Sequence, residues 1–92
     1  MEYKVIILPT AISDIEKLSK SIKTGILKKI KYLAENADEI IHHHLKNMPD
    51  DLKGLCRIKY GHYRILYWIY RNEKIIKIYK VSHRSIIYKK LI

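Results

Sequence analysis

The chain has 92 residues, 48% of them apolar, and a formal net charge of +10. That length fits one domain, residues 1–92, with a modest core, and the apolar content excludes a disordered chain. No apolar run approaches the ~20 residues of a membrane span, and the single cysteine, Cys56, excludes an internal disulfide and a cysteine-cluster zinc site.

The opening stretch MEYKVIILPTAISD has neither a basic n-region nor a small-residue cleavage site, so it reads as a strand over 3–8 ended by Pro9, not as a signal peptide. A cytoplasmic protein is expected. Ala11, Ile15, Leu18 and Ile22 then recur at helical spacing, with Asp14 and Glu16 placed near the helix start, where the dipole favours acids. Ser19 to Ser21 can divide this stretch into two helices. Ile26, Ile30, Leu33 and Ala37 carry the stripe through the second helix, to about Asn36. Gly25 weakens that helix by roughly 1 kcal/mol relative to alanine.

HHHLKNMPDDLKG reads as a loop from its Pro, Asp and Gly content. Adjacent histidines in such a loop seldom converge on one ion, so no metal site is expected. Strands follow at about 55–60, 63–70 and 74–82, then a short basic tail. The order is β-α-α-β-β-β. It predicts an α+β fold: an N-terminal strand, a helical hairpin laid on one face of an antiparallel sheet, and three antiparallel strands at the end.

The charge is unevenly spread. Residues 1–51 hold eight Lys and eight acidic residues, whereas residues 52–92 hold seven Lys, all four Arg and one acid, Glu73. A lysine-rich solvated surface would have touched both halves. A basic face confined to one half reads as an anion-binding face, with nucleic acid the commonest partner.

A two-residue turn at Gly61-His62 would set Tyr60 opposite Tyr63 and Lys59 opposite Arg64. Arg57 would lie on the same face as Lys59, about 6.6 Å along the strand. Like charges directly opposite destabilise a sheet. The arrangement makes sense if an anion fills the patch, and it predicts that Arg64 is held against its own folding cost. Ile58, Tyr60, Tyr63, Ile65, Tyr67 and Ile69 form the other face, suited to packing under the helices. Trp68 and Tyr70 read as core or rim packing, and Cys56 as a small core residue. With Asn72-Glu73 as the next turn, Val81 and His83 would fall on the side of Arg64. Beside three cations, His83 becomes a candidate proton carrier, since its unperturbed pKa lies near neutrality.

LKGLCRIKYGHYRILYWI, followed by KIIKIYKVSHRSIIY, resembles the RelE/ParE toxin superfamily, whose element order is the same. The resemblance spans nearly the whole chain, with its specific content in residues 45–88. It implies a toxin of a type II toxin–antitoxin system with a cognate antitoxin as partner. RelE-like members imply a ribosome-dependent endonuclease that cuts messenger RNA, while ParE-like members imply a DNA gyrase poison with no nuclease activity; a non-catalytic nucleic-acid-binding module or toxin relic is the third reading. Carried onto this sequence, the RelE-like roles give Arg64 as the transition-state stabiliser, His83 or Lys59 for proton transfer, and Tyr88 for stacking or orienting the attacking hydroxyl. Arg57, Arg84 and Lys53 would hold flanking phosphates. The implied reaction needs no metal or other cofactor. The histidine-using relatives also employ a glutamate base, and here the only acid in the strand set is Glu73, in a turn.

Overall fold

The computed structural model describes residues 2–89. β1 (Lys4–Ile7) leads into α1 (Pro9–Glu16) and α2 (Lys20–Glu35). A short β2 (His43–His44) precedes β3 (Cys56–Tyr60), β4 (Tyr63–Tyr70) and β5 (Ile75–His83). One five-stranded sheet results, in the order β1-β5-β4-β3-β2. β3, β4 and β5 are antiparallel as expected, but β1 pairs parallel to β5. Parallel neighbours need a long crossover, and the two helices with the intervening strands supply it. The loop containing the three histidines also differs from expectation, because His43 and His44 pair with Arg57 and Cys56 at the sheet edge.

The helix boundaries follow local chemistry. Pro9 opens α1, where its fixed φ suits the first turn and its missing N–H removes nothing. Asp14 and Glu16 therefore lie towards the end of α1, not at its start. Asp14 instead accepts the Val81 backbone N–H at 3.0 Å, which docks α1 on β5. Ser19 caps α2, its hydroxyl accepting the Ile22 N–H at 3.4 Å.

Ala11, Ile15, Ile26, Ile30 and Leu33 pack from the helices onto Cys56, Ile65, Tyr67, Ile76, Ile78 and Val81 of the sheet. A helical glycine in this layer has a packing reason. A Cβ on Gly25 would run into the ring and hydroxyl of Tyr60. Gly25→Ala alone should therefore fail to deliver the roughly 1 kcal/mol that helix propensity favours. The same change in a Tyr60→Ala background should deliver it, which denaturant titration of the four proteins would read directly.

The register of β4 against β5 decides what shares a face. Near the 71–74 turn, Tyr70 pairs with Ile75 and Trp68 with Lys77, the register expected from Asn72-Glu73. Between Leu66 and Tyr67 the register slips by one, and at the other end Arg64 pairs with Ser82 and Tyr63 with His83. Ile78 and Val81 both enter the helix-side core, so two residues, Tyr79 and Lys80, stand where a regular strand has one. This β-bulge turns every side chain beyond it to the opposite face.

Candidate phosphate-binding site on the sheet face away from the helices

The β3–β4 hairpin builds the site. Gly61 has φ of 56° at the first turn position while His62 does not enter the positive-φ region, the pattern of a two-residue hairpin turn with glycine leading. Tyr60 then pairs with Tyr63, and Lys59 with Arg64. The Lys59–Arg64 pair is of the non-hydrogen-bonded kind, in which Cα atoms approach to roughly 4.5 Å. Arg57, opposite Leu66, shares the face. Cys56, Ile58 and Tyr60 alternate with these residues and belong to the helix-side core or pack against it.

Arg64 is nine-tenths buried, and its Nη1 donates to the carbonyls of Gly61 at 3.0 Å and Tyr63 at 2.9 Å. The guanidinium is thereby curled onto the hairpin turn with donors to spare. This corrects the expectation that Arg64 is held purely against folding: it also ties the turn together. Among the described residues, none of Arg57, Lys59, Arg64 and Arg84 forms an ion pair with a carboxylate.

A second, smaller core forms on the same face. Leu66 packs with Leu52, Leu55 and Ile87, with Trp68 and Tyr79 at the rim. Ile87 is fully buried there. It anchors the C-terminal turn and leaves its neighbour Tyr88 exposed. Lys53 stands apart. Its carbonyl accepts the Trp68 indole N–H at 2.9 Å, and its ammonium lies 3.2 Å from Asp50. Trp68 is four residues along β4 from Arg64, or about 13 Å.

His83 is not where the sequence placed it. The bulge turns it to the helix side, edge-on to Tyr63 with ring centroids 5.6 Å apart and near His62 at 5.9 Å. Its Nδ1 accepts the Ser85 backbone N–H at 3.2 Å, and its carbonyl accepts the N–H groups of Ile86 and Ile87. These bonds make His83 the cap of the C-terminal turn. Arg84 is exposed, and its N–H ties the turn to the His62 carbonyl at 2.7 Å.

Among the three consecutive histidines, His42 is buried and structural. Its Nε2 donates to the Ala37 carbonyl at 2.7 Å, and Nδ1 accepts from the Tyr67 hydroxyl at 2.6 Å. The carbonyl can only accept, so Nε2 carries a proton. Burial holds the Tyr67 hydroxyl well above its ordinary pKa. Burial also pushes the Cys56 thiol up to about 11, against the opposing pull of Arg71, so it is no nucleophile near neutrality. No three His, Cys, Asp or Glu among the described residues are grouped to hold a metal ion. No helix among the described residues is long and apolar enough to cross a membrane.

Sequence reasoning missed one part of the surroundings. Lys29 and Tyr32 of α2, with Ile41, line a groove together with Arg57, Ile58 and Lys59. Only tertiary packing brings α2 to this edge, and a lysine on an exposed helix face carries no signal of its own.

The comparisons agree with this architecture. A family model described as the ParE toxin of the type II toxin–antitoxin system, parDE, matches residues 5–88. Fold and match define a toxin of the type II toxin–antitoxin class. The chain belongs to the ParE toxin family, within the RelE/ParE superfamily. It is similar to a chain of the RelBE2 toxin–antitoxin complex of Mycobacterium tuberculosis, at 26% identity and a TM-score of 0.77, over 92% of this chain and 94% of that one. It is likewise similar to a chain of the archaeal RelE–RelB complex of Pyrococcus horikoshii, at 26% identity and a TM-score of 0.68, over 92% and 98%. A free double-arginine variant of Escherichia coli RelE shares the fold, at 22% identity and a TM-score of 0.73, over 99% and 95%. No curated protein sequence matches the chain.

Proposed function

We propose that this toxin is a RelE-like endoribonuclease that cuts messenger RNA on the ribosome and so stops translation. One observation carries the reading: Arg57, Lys59 and Arg64 share one sheet face with no carboxylate partner among the described residues. The likeness to RelE chains of two toxin–antitoxin complexes supports it. A cognate antitoxin is the expected partner.

The chemistry suited to that face is attack of an RNA 2′-hydroxyl on its own 3′-phosphate. The new O–P bond forms as the bond to the 5′-oxygen breaks, leaving a cyclic phosphate and a 5′-hydroxyl. Negative charge grows on the pentacoordinate phosphate. Preorganised cations stabilise such charge far better than reorganising water does. Arg64, fixed by the turn carbonyls, has free guanidinium donors for the phosphate oxygens. Lys59 stands beside it as an ammonium that gives a proton to the departing 5′-oxygen while water takes the proton of the 2′-hydroxyl, and Tyr88 orients the substrate from the C-terminal turn. Arg57 and Arg84 hold flanking phosphates, and Lys53 a more distant one. His83 acts through its cap, setting the turn that bears Arg84 and Tyr88.

Cell-free translation with the purified chain tests this. Messenger ends mapped after incubation should show cuts within translated codons, with cyclic phosphate at the upstream end. The description of the matching family as ParE favours a second reading, a gyrase poison. Intact messenger with gyrase-linked DNA breaks would establish that reading and remove the first.

A further inference from the structure

The sheet face away from the helices stays open beyond the small core at Leu66. Val5, Ile7, Ile69, Ile76 and Ile78 belong to the helix-side core or pack against it, so the residues alternating with them lie on the other face. The register lines these up across three strands. Tyr70 pairs with Ile75, and Ile75 with Lys4; one step on, Trp68 pairs with Lys77, and Lys77 with Ile6. None of these six side chains is buried. Two aromatic rings and two lysines thus share one open surface. Trp68, Tyr70 and Lys77 border a hollow of about 490 Å3, in which Asp51 is the one acid.

Rim packing accounts for only part of Trp68. Its indole N–H donates to the Lys53 carbonyl at 2.9 Å, and its ring meets Tyr79 with centroids 5.2 Å apart. The rest of the ring stays partly exposed. An indole whose one polar atom is already satisfied offers a ligand only its aromatic surface. Tyr70 is 38% exposed, with the Lys77 ammonium 5.2 Å from its ring centroid. Neither Lys4 nor Lys77 forms an ion pair with a carboxylate among the described residues. Aromatic rings interleaved with cations on an open sheet face suit unpaired bases, because every base has a π-face and its phosphate needs a counter-charge.

We propose that this surface is a stacking subsite for single-stranded RNA, with Trp68 and Tyr70 each taking one base and Lys77 the phosphate between them. The proposal rests on the endonuclease reading above and extends its substrate contact along the same strand, away from the cut phosphate. Spacing favours it. Trp68 and Tyr70 are two residues apart on β4, or about 6.6 Å. That is about twice the ~3.4 Å between stacked bases, so the rings suit two bases splayed from each other, which a duplex does not offer. Lys77 pairs with Trp68 and reaches the Tyr70 ring, so its charge lies between the two. Trp68 is about 13 Å from Arg64 on the same face, a distance that about two nucleotides cover at the splayed spacing.

Trp68 is the single tryptophan of the chain, so its emission reports the stacking directly. The full chain is titrated with a 2′-O-methyl RNA of about eight nucleotides, within the range of single-strand site sizes. That strand lacks the attacking hydroxyl and cannot be cut. Trp68 emission should fall as it binds, and Tyr70→Ala should weaken binding roughly ten-fold. A strand of the same length and charge but without bases should bind roughly ten-fold or more weakly and leave the emission unchanged. That comparison needs no variant to fold. The proposal is overturned if the RNA leaves the emission unchanged, or if the strand without bases quenches it equally, since phosphate contacts alone would then explain binding. It is also overturned if a glutamate-rich peptide quenches Trp68 and the RNA does not, because the face would then serve a protein. Quenching by RNA in a chain that cuts no messenger in cell-free translation keeps the subsite and removes the endonuclease reading alone. Cleavage without quenching does the reverse.

Discussion

Arg64→Ala is expected to lower messenger cleavage by roughly 10²–10³-fold, about 3–4 kcal/mol, the scale on which a preorganised charge-stabilising donor acts. The same change removes two hydrogen bonds from a largely buried group to the carbonyls of Gly61 and Tyr63. The carbonyls sit in a solvent-accessible turn where water can replace the donor, so each bond contributes about 0.5–1.5 kcal/mol. Relief of the repulsion from Lys59 offsets part of that, so a net loss of about 1 kcal/mol is expected, with a thermal midpoint lower by roughly 4–8 °C. Function and folding therefore need separating. Arg64→Lys keeps one cation and a donor for the turn but loses the planar fork. It should recover most of the stability and little of the cleavage. Parental cleavage by the folded fraction of Arg64→Ala would reduce Arg64 to a clamp of the hairpin.

The second large effect lies in the core. His42 bridges the Ala37 carbonyl and the Tyr67 hydroxyl, at 2.7 and 2.6 Å, and only 8% of its surface is exposed. His42→Ala would open a cavity and orphan both polar groups. The expected loss is about 3 kcal/mol, or roughly 12–24 °C in the thermal midpoint of a chain this size. Tyr67→Phe removes the hydroxyl and only one of the two bonds, so it should cost nearer 1 kcal/mol. In the double variant the two losses should not add, because they share a bond. Full additivity in calorimetry would mean that the His42–Tyr67 contact contributes nothing.

These expectations show where sequence patterns were sufficient. The hairpin was legible because its evidence is local. Gly61 supplies the positive φ, the turn length sets the pairing, and period-two alternation sorts Arg57, Lys59 and Arg64 from Ile58, Ile65 and Tyr67. The split between the helices was legible at Ser19 for the same reason, since a cap acts within one turn. The charge asymmetry was legible too, because the second half holds all four arginines and a single acid, Glu73.

His83 shows the limit. Its assignment to the Arg64 face required a regular strand from the turn at 71–74 through eight further residues. A single bulge at Tyr79–Lys80 reverses it. The bulge arises because Ile78 and Val81 must both reach the helix-side core, a demand set by α1 and α2 and absent from the strand's own pattern. His42 escaped notice for a related reason: its partners are a carbonyl at the end of α2 and a hydroxyl on β4, with 25 residues separating His42 from Tyr67.

The sequence by itself determined the element order, the β3–β4 register, the trio of cations and the family likeness, because each rests on neighbours in the chain or on a motif of short reach. Only the tertiary structure decided the parallel seat of β1 beside β5, the face of His83, the bonds by which Arg64 clamps its turn and the groove between α2 and the free edge of β3. Those depend on how distant surfaces bury one another, and packing of that kind is fixed by the fold as a whole.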